Sequence, residues 1–289
     1  MGEAWADYDR YHAEGRTARF GDVFERVRVR TVSSVLQRSR LPLSQGRKLL
    51  DVGAGEGRYL PIWRGLFPKA DITAVEVSPV ASERSAARHP FARHVVASAE
   101  ELPFPDSSFD AVISIEVIEH VPNGRRMIAE CYRVLRPGGW CVISTPCGNR
   151  GSLDWWRAKL SGELRPSLDD GIHFGTHDDP THLRRYRSSE FTQLCELFGF
   201  ITRRVYFNAH AFMWIGERVE MIVKGKINIG RRSRNLERLF EDSMDTVGMM
   251  DWWLLRRVPA ASSMIVLLER DHFTTLARTY NITKSQNRS

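Results

Sequence analysis

The sequence predicts an α/β fold in which a parallel sheet carries helices on both faces. Two observations support this. Short apolar runs alternate with amphipathic segments from about residue 48 onward, and the short connections between them suit strand-helix-strand crossovers. A third observation locates the working edge of that sheet: LLDVGAGEGRY, residues 49–59, crowds Gly53, Gly55 and Gly57 directly behind an apolar run.

The elements follow in order. Residues 1–40 read as helical, with Phe20, Val23, Phe24, Val27, Val32, Val35 and Leu36 recurring at three and four. LPLSQGR interrupts as a loop. KLLDVG is a short buried strand, GRYLPIWRGLF a helix, ADITAVEVS a strand, PVASERSAARH a helix, ARHVVAS a weaker strand and FDAVISIEV a fully buried one. NGRRMIAECYRVL is an amphipathic helix closed by RPGG, and WCVISTP is a strand. A polar stretch then runs to about Arg187, followed by the helix SSEFTQLCELFGF, the strand TRRVYF and a last strand, SMIVLLER. Residues 208–262, rich in Met and Trp, are too many for a hairpin loop and predict a helical insertion. The polar tail 272–289 is expected to be mobile.

Composition narrows the function classes. A 289-residue chain that is 42% hydrophobic accommodates one large domain with insertions or two small ones. No apolar run is long enough to cross a bilayer, and MGEAWADYDRYHAEGR lacks a secretory signal pattern, so a cytoplasmic protein without a lipid anchor is expected. Cys131, Cys141, Cys147 and Cys195 form no C-x-x-C pair and read as buried thiols of a reducing compartment. The net charge of +7 is compatible with RNA, anionic membrane surfaces or phosphorylated substrates. Its densest stretch lies between Lys224 and Arg234, where five basic residues meet no acid. A solvated basic surface is the plainer reading.

Glycines between a strand and a helix let backbone N–H groups approach a ligand at the carboxyl edge of a sheet. Here they fall as G-x-G-x-G, and Arg58 occupies the last position of the dinucleotide pattern, which disfavours NAD. No Lys-Ser/Thr pair follows, which excludes a nucleoside-triphosphate loop. Glu76, 25 residues after Asp51 at the end of the second strand, is placed to accept both ribose hydroxyls, and Asp51 to meet an ammonium group. A nucleoside carrying an amino acid, S-adenosylmethionine, fits these features.

With those motifs in hand, residues 48–200 resemble the class I S-adenosylmethionine-dependent methyltransferases. LLDVGAGEG is similar to their first motif, AVEVS to the ribose motif, SAEELPFPDSSFDAVISIEVIEHV to the adenine and fourth-strand motifs, and ECYRVLRPGGWCVISTP to the fifth-strand motif. The resemblance implies a Rossmann-like sheet of seven mostly parallel strands with the last antiparallel. It also implies that Gly53, Ala54, Gly55 and Gly57 line methionine and ribose, that Glu76 and Val77 hold ribose and adenine, and that Ser98, Ala99 and Glu100 frame the adenine. Ile115 and Glu116 would border the cofactor at the end of the fourth strand. Ser98 stands where the family often has Asp, and its hydroxyl is the weaker acceptor. Tyr11, with Tyr8 and His12, would fold over the cofactor from an N-terminal helix, although a packed amphipathic helix explains the same residues.

EVIEH places Glu116, Glu119 and His120 three and four positions apart, on one face if the strand turns into helix after Glu116. Two carboxylates that close need a proton or a cation between them. Mg²⁺ is one candidate, although imidazole is an unusual ligand for so hard an ion. The stretch resembles the E-x-x-E-H pattern of two metal-using subgroups, ubiquinone-biosynthesis O-methyltransferases and the enzymes that methylate the 2′-hydroxyl at small-RNA 3′ ends. That resemblance implies a metal set of Glu116, Glu119, His120 and His182, with His177 as the rival of His182. Without metal, His120 serves as a catalytic base, Glu119 favours a helix start and His182 is structural.

The expected activity is methyl transfer to a hydroxyl of a small, apolar or lipid-like acceptor. Trp155, Trp156, Trp252 and Trp253 would roof the substrate, rest on a membrane surface or simply pack the insertion. The alternatives are an RNA 2′-O-methyltransferase with a Mg-type site and a non-catalytic cofactor-binding partner protein. The expected organisation is an N-terminal helical cap over residues 1–47, a cofactor-binding core over 48–207 and 263–271, a substrate-capping insertion over 208–262 and the tail 272–289. Oligomeric state is left open.

Overall fold

The computed structural model describes residues 23–39, 47–166, 171–174, 181–210, 212, 213, 216, 219 and 234–271. The expectations for Tyr8, Tyr11, His12, His177, the 272–289 tail and most of the basic run from Lys224 lie outside the described residues. Helix α1 (Val23–Ser39) leads into β1 (Lys48–Val52), α2 (Leu60–Leu66), β2 (Asp71–Glu76), α3 (Pro79–Arg88), β3 (Arg93–Val96) and β4 (Phe109–Ile115). Then come α4 (Gly124–Val134), β5 (Leu135–Pro146), α5 (Leu153–Leu160) and a two-stranded hairpin of β6 (Arg165–Pro166) with β7 (Ile172–His173). Helix α6 (Ser188–Leu197), β8 (Phe200–Asn208), α7 (Arg234–Leu255) and β9 (Ser263–Arg270) complete the described chain.

Seven strands form one sheet in the order β3-β2-β1-β4-β5-β9-β8. The first five are parallel, and β9, the last in sequence, lies antiparallel between β5 and β8. This is the predicted architecture, and the reversal from β1 to β4 puts a crevice at the carboxyl ends of those two strands. Caps start the helices beside it. The Ser78 side chain accepts from Ala81 N at 3.2 Å to open α3, and Asn123 Oδ1 accepts from Arg126 N at 3.0 Å to open α4.

Every position of β4 is buried, Asp110 and Ser114 included, as expected for a central strand covered on both faces. Alternation along the strands divides the core in two. Leu50, Val52, Val112 and Ile143 pack on one face with Met127 and Cys131 of α4 and Phe191 of α6. Leu49, Ile113 and Val142 pack on the other with Val32 and Val35 of α1, Trp63 of α2 and Trp252 of α7. The four cysteines are free and buried.

Helix α7 joins α1 through Asp245, whose buried carboxylate pairs with Arg26 at 2.7 Å and Arg30 at 2.9 Å. A Cβ on Gly248 would meet Val27 at 2.5 Å, so glycine is what lets the two helices approach. No described helix is long and apolar enough to cross a membrane.

Three local expectations are corrected. The chain does not become helix after Glu116 but bends into a tight turn, with His120 N donating to Val117 O at 2.9 Å. RPGG does not close a helix ahead of a separate strand: pairing of Phe109 with Leu135 draws LRPGG into the start of β5. The stretch after Pro146 contains a helix, α5, whose start is capped by Ser152 Oγ accepting from Trp155 N at 3.1 Å.

Candidate active site

The glycine loop leaves β1 at the crevice. Gly53 N and Ala54 N both donate to Val75 O, at 2.8 and 2.9 Å, which fastens the loop to the neighbouring strand. The three glycines have different duties. A Cβ at Gly53 would overlap the Val117 side chain, and one at Gly57 would overlap Ser85 Oγ, so these two permit packing. At Gly55, with φ of +55°, a Cβ would meet nothing within 4 Å, so bare backbone faces open space there. A ligand could approach the main chain closely at that point.

Glu76 stands against it. Its Oε2 accepts from Gly55 N at 2.8 Å and its Oε1 from Ser78 N at 2.9 Å, while the residue is only 3% exposed. A pocket beside it is walled by Gly53, Glu76, Val77, Ala99, Val117 and His120. Asp51 lies buried close by and accepts from Trp63 Nε1 at 2.9 Å. Burial, with Glu76 adding repulsion, pushes its carboxyl up to about 7. Ser98 Oγ accepts from Glu100 N at 3.1 Å and Glu100 Oε1 from Asn123 N at 2.8 Å, so both stabilise the loop around Ala99. Ile115 is buried at the end of β4.

The two glutamates of EVIEH part company. Ser144 and Thr145, consecutive in β5, project to opposite faces of the sheet. Ser144 Oγ donates to Glu116 Oε1 at 2.6 Å, and Thr145 Oγ1 donates to Glu119 Oε2 at 3.0 Å. Glu116, with φ of +55°, also pairs with Arg28 of α1 at 3.1 Å. Its strained conformation at a strand end aims it toward α1.

Glu119 is fully buried, and its Oε1 has no hydrogen-bond partner among the described residues. Burial above all, then the nearby charge of Glu116, pushes its carboxyl up to about 8. The segment from Thr181 lies along the turn that carries it. Leu183 N donates to Glu119 O at 2.8 Å, Arg184 Nη1 to Val121 O at 2.9 Å, and Thr181 O faces His120 Nδ1 at 3.0 Å. This brings His182 to His120, ring centroids 4.9 Å apart, and sets potential ligand atoms of Glu119, His120 and His182 all within 4.8 Å of one another. Glu116 is outside that cluster. Two imidazoles and one carboxylate suit a borderline transition ion better than Mg²⁺.

Residues 50–143 match the model of a methyltransferase domain. A probable S-adenosylmethionine-dependent methyltransferase of Mycolicibacterium smegmatis is 32% identical over 155 residues, 54% of this chain and 52% of the relative. Residues 50–143 therefore form a methyltransferase domain of the S-adenosylmethionine-dependent kind. A fatty-acid O-methyltransferase of the same species is 30% identical over 45% of this chain and 48% of its own length. A malonyl-[acyl-carrier protein] O-methyltransferase of Marinomonas is 39% identical over 38% and 43%. The chain spans about half the length of the curated relatives it matches. In fold, the Galdieria sulphuraria protein assigned as a sarcosine dimethylglycine methyltransferase superposes with a TM-score of 0.59 at 18% identity, over 94% of this chain and 99% of that one. A [4+2]-cyclase superposes with 0.55 at 19%, over 83% and 81%, so the fold by itself does not choose a reaction.

Sequence reasoning missed Arg28, Trp63, Ser144 and Thr145. Only the Arg-rich start of α1 carried any trace of Arg28, and nothing in the spacing foretold the other three.

Two measurements follow from this geometry. Gly55→Ala is expected to weaken S-adenosylmethionine binding at least tenfold in calorimetry with a loss of about 1 kcal/mol in stability, whereas Gly57→Ala, which forces Ser85 aside, lowers the unfolding midpoint more. Asp51 and Glu119 hold protons near neutrality in the folded chain, at about 7 and about 8 against 3.8 and 4.5 as ordinary values. The unfolded chain releases those protons earlier, so stability contributed at low pH is lost as pH rises from about 4 to about 8. Denaturant titrations across that window are expected to show the decline, flattened in Asp51→Asn and Glu119→Gln.

Proposed function

We propose that this protein transfers a methyl group from S-adenosylmethionine to a hydroxyl of a small, apolar or lipid-like acceptor. The observation that carries the reading is the orientation of His120. Its Nδ1 faces the Thr181 carbonyl and is therefore the N–H donor, which leaves Nε2 as the basic nitrogen of a residue in the pocket wall shared with Gly53 and Glu76. The fatty-acid and malonyl-carrier O-methyltransferases among the relatives favour oxygen as the acceptor atom.

In this reading Glu76 accepts the ribose hydroxyls with its remaining lone pairs, Val77 and Ala99 pack on the adenine, Gly55 presents backbone, and Asp51 ionises against the ammonium group. When bound, the cofactor supplies a sulfonium-activated methyl carbon. His120 Nε2 takes the acceptor's hydroxyl proton. The imidazolium that forms stands 3.9 Å from Glu119 Oε1, and its charge draws the neighbouring carboxyl toward ionisation. In this reading the described parts of 48–207 and 263–271 form the cofactor-binding core, and α1 with the described part of 208–262 caps the acceptor. Met213 packs on Val23 and Val27 of α1, and Trp252 packs in the core cluster that holds Val32 and Val35, so the described part of 208–262 is tied to α1.

Labelled methyl transfer into cell extract tests the reading. With a hydroxyl acceptor, His120→Ala is expected to lower kcat about 10²- to 10⁴-fold while calorimetric affinity for the cofactor holds within about twofold. A carboxylate acceptor is already ionised and needs no base, so an unchanged kcat would move the assignment to a carboxyl group.

The cluster of Glu119, His120 and His182, with its unpartnered carboxylate oxygen, favours a second reading in which a divalent transition ion occupies it. Such an ion would polarise the acceptor hydroxyl and lower its pKa, using the Nε2 that otherwise takes the proton. Chelation separates the two. A metal-dependent enzyme loses activity with chelator and regains it with Mn²⁺ or Zn²⁺ more than with Mg²⁺, and His182→Ala mimics the chelator; an enzyme using His120 as base ignores the chelator.

A further inference from the structure

We propose that the outward face of α7 docks on an anionic lipid surface. The inner face of this helix is fully engaged. Trp252 is buried, Asp245 pairs with Arg26 and Arg30, and Asp251 Oδ2 accepts from His210 N at 3.1 Å and lies 3.2 Å from His210 Nδ1. The outer face of the last turns is largely apolar and bare: Val247, Met250, Trp253 and Leu254 are 37, 57, 59 and 61% exposed, with exposed Thr246 the one polar side chain among them. Their spacing of three, three and one places them on one stripe about 120° wide. Exposed Val258 continues it past the helix end. A soluble surface helix normally carries charge on that side, and a contiguous apolar stripe marks an interaction site.

Charge identifies the occupant. Arg256 and Arg257 follow the stripe directly, and the Arg256 guanidinium lies 5.9 Å from the ring centroid of Trp253. The run from Lys224 to Arg234, five basic residues without an acid, leads in sequence into α7, whose first residue is Arg234. Exposed Asp242 on the same helix sits two turns before Met250. An apolar stripe with Trp at its margin and a basic collar of Arg256 and Arg257 is the composition that lies in a headgroup interface, where Trp is favoured and each Lys or Arg is drawn to anionic lipid. A second copy of the chain is disfavoured by the same collar, because two-fold pairing through a stripe ending in Arg256 and Arg257 sets like charges against one another. The proposal does not depend on methyl transfer, since docking is measured without cofactor or acceptor.

The test is co-sedimentation of the full chain with vesicles of phosphatidylcholine alone or with phosphatidylglycerol added, at low and high salt. Binding is expected to the phosphatidylglycerol vesicles and to weaken with salt. M250E/W253E and R256E/R257E are each expected to reduce it about tenfold or more, with circular dichroism and unfolding midpoint showing that both variants fold. Because the four positions are exposed or half-buried, the two pairs check one another if either variant is unstable. The proposal is overturned if the wild-type chain ignores phosphatidylglycerol vesicles at low salt, if both folded variants bind as it does, or if light scattering finds a dimer that M250E/W253E dissolves.

Discussion

The crevice depends on the carboxylate of Glu76. Parallel pairing of Val52 with Val75 sets the end of β2 beside the loop that leaves β1, so Glu76, the last residue of β2, arrives opposite Gly55. Its two oxygens then bind Gly55 N on one side and Ser78 N on the other. A carboxylate this buried is tolerable only with such charge-assisted hydrogen bonds. One side chain therefore orders the glycine loop and the entry to α3 together, and each oxygen retains lone-pair capacity for a ligand hydroxyl. The glycines around it divide between packing and access, with Gly53 and Gly57 closing on Val117 and Ser85 while Gly55 stays open.

At the other end of the crevice the decisive constraint is the two-residue period of β5. Because Ser144 and Thr145 face opposite sides of the sheet, the acids they hold are drawn apart, Glu116 toward α1 and Arg28, Glu119 toward the Thr181 segment and His120. Each acid thereby acquires a separate environment. Glu116 keeps a cation and a hydroxyl donor, whereas Glu119 is wholly buried with one oxygen unpartnered.

Much of this was legible along the chain, and the reason is locality. The strands and helices of the core follow from apolar period, and the G-x-G-x-G loop and Glu76 follow from the strand ends those periods define. What was not legible depends on distant closure. A strand continuing into helix would have put Glu116 beside Glu119, and the tight turn at Val117–His120 arises because Leu183 and Arg184, some sixty residues on, donate to the backbone of that turn. His182 shows the intermediate case: its approach to His120 was inferred from a resembling motif, while the contact is made by hydrogen bonds that no spacing encodes. Helix α5 was hidden because its apolar residues, Trp155 and Ala158, are buried against the small hairpin rather than the main core.

The rim as a whole poses a problem of charge. Asp51, Glu76, Glu116 and Glu119 gather at the carboxyl ends of β1, β2 and β4, and four buried or half-buried carboxylates cannot all ionise at low dielectric without compensation. The chain compensates each differently: backbone N–H groups for Glu76, the Arg28 guanidinium for Glu116, and a retained proton for Asp51 and for Glu119. The last two are the adjustable ones, since a proton can leave where a fixed Arg cannot. A ligand bearing positive charge next to Asp51 replaces that proton with a cation, and an imidazolium or metal ion beside Glu119 does the same there. A rim that can release a proton to a cation at Asp51 and at Glu119 suits the cationic nucleoside proposed here better than a pyrophosphate, which would set further negative charge against Glu76. That is the electrostatic counterpart of the missing third glycine of the dinucleotide pattern, where Arg58 instead pairs with Glu25 of α1.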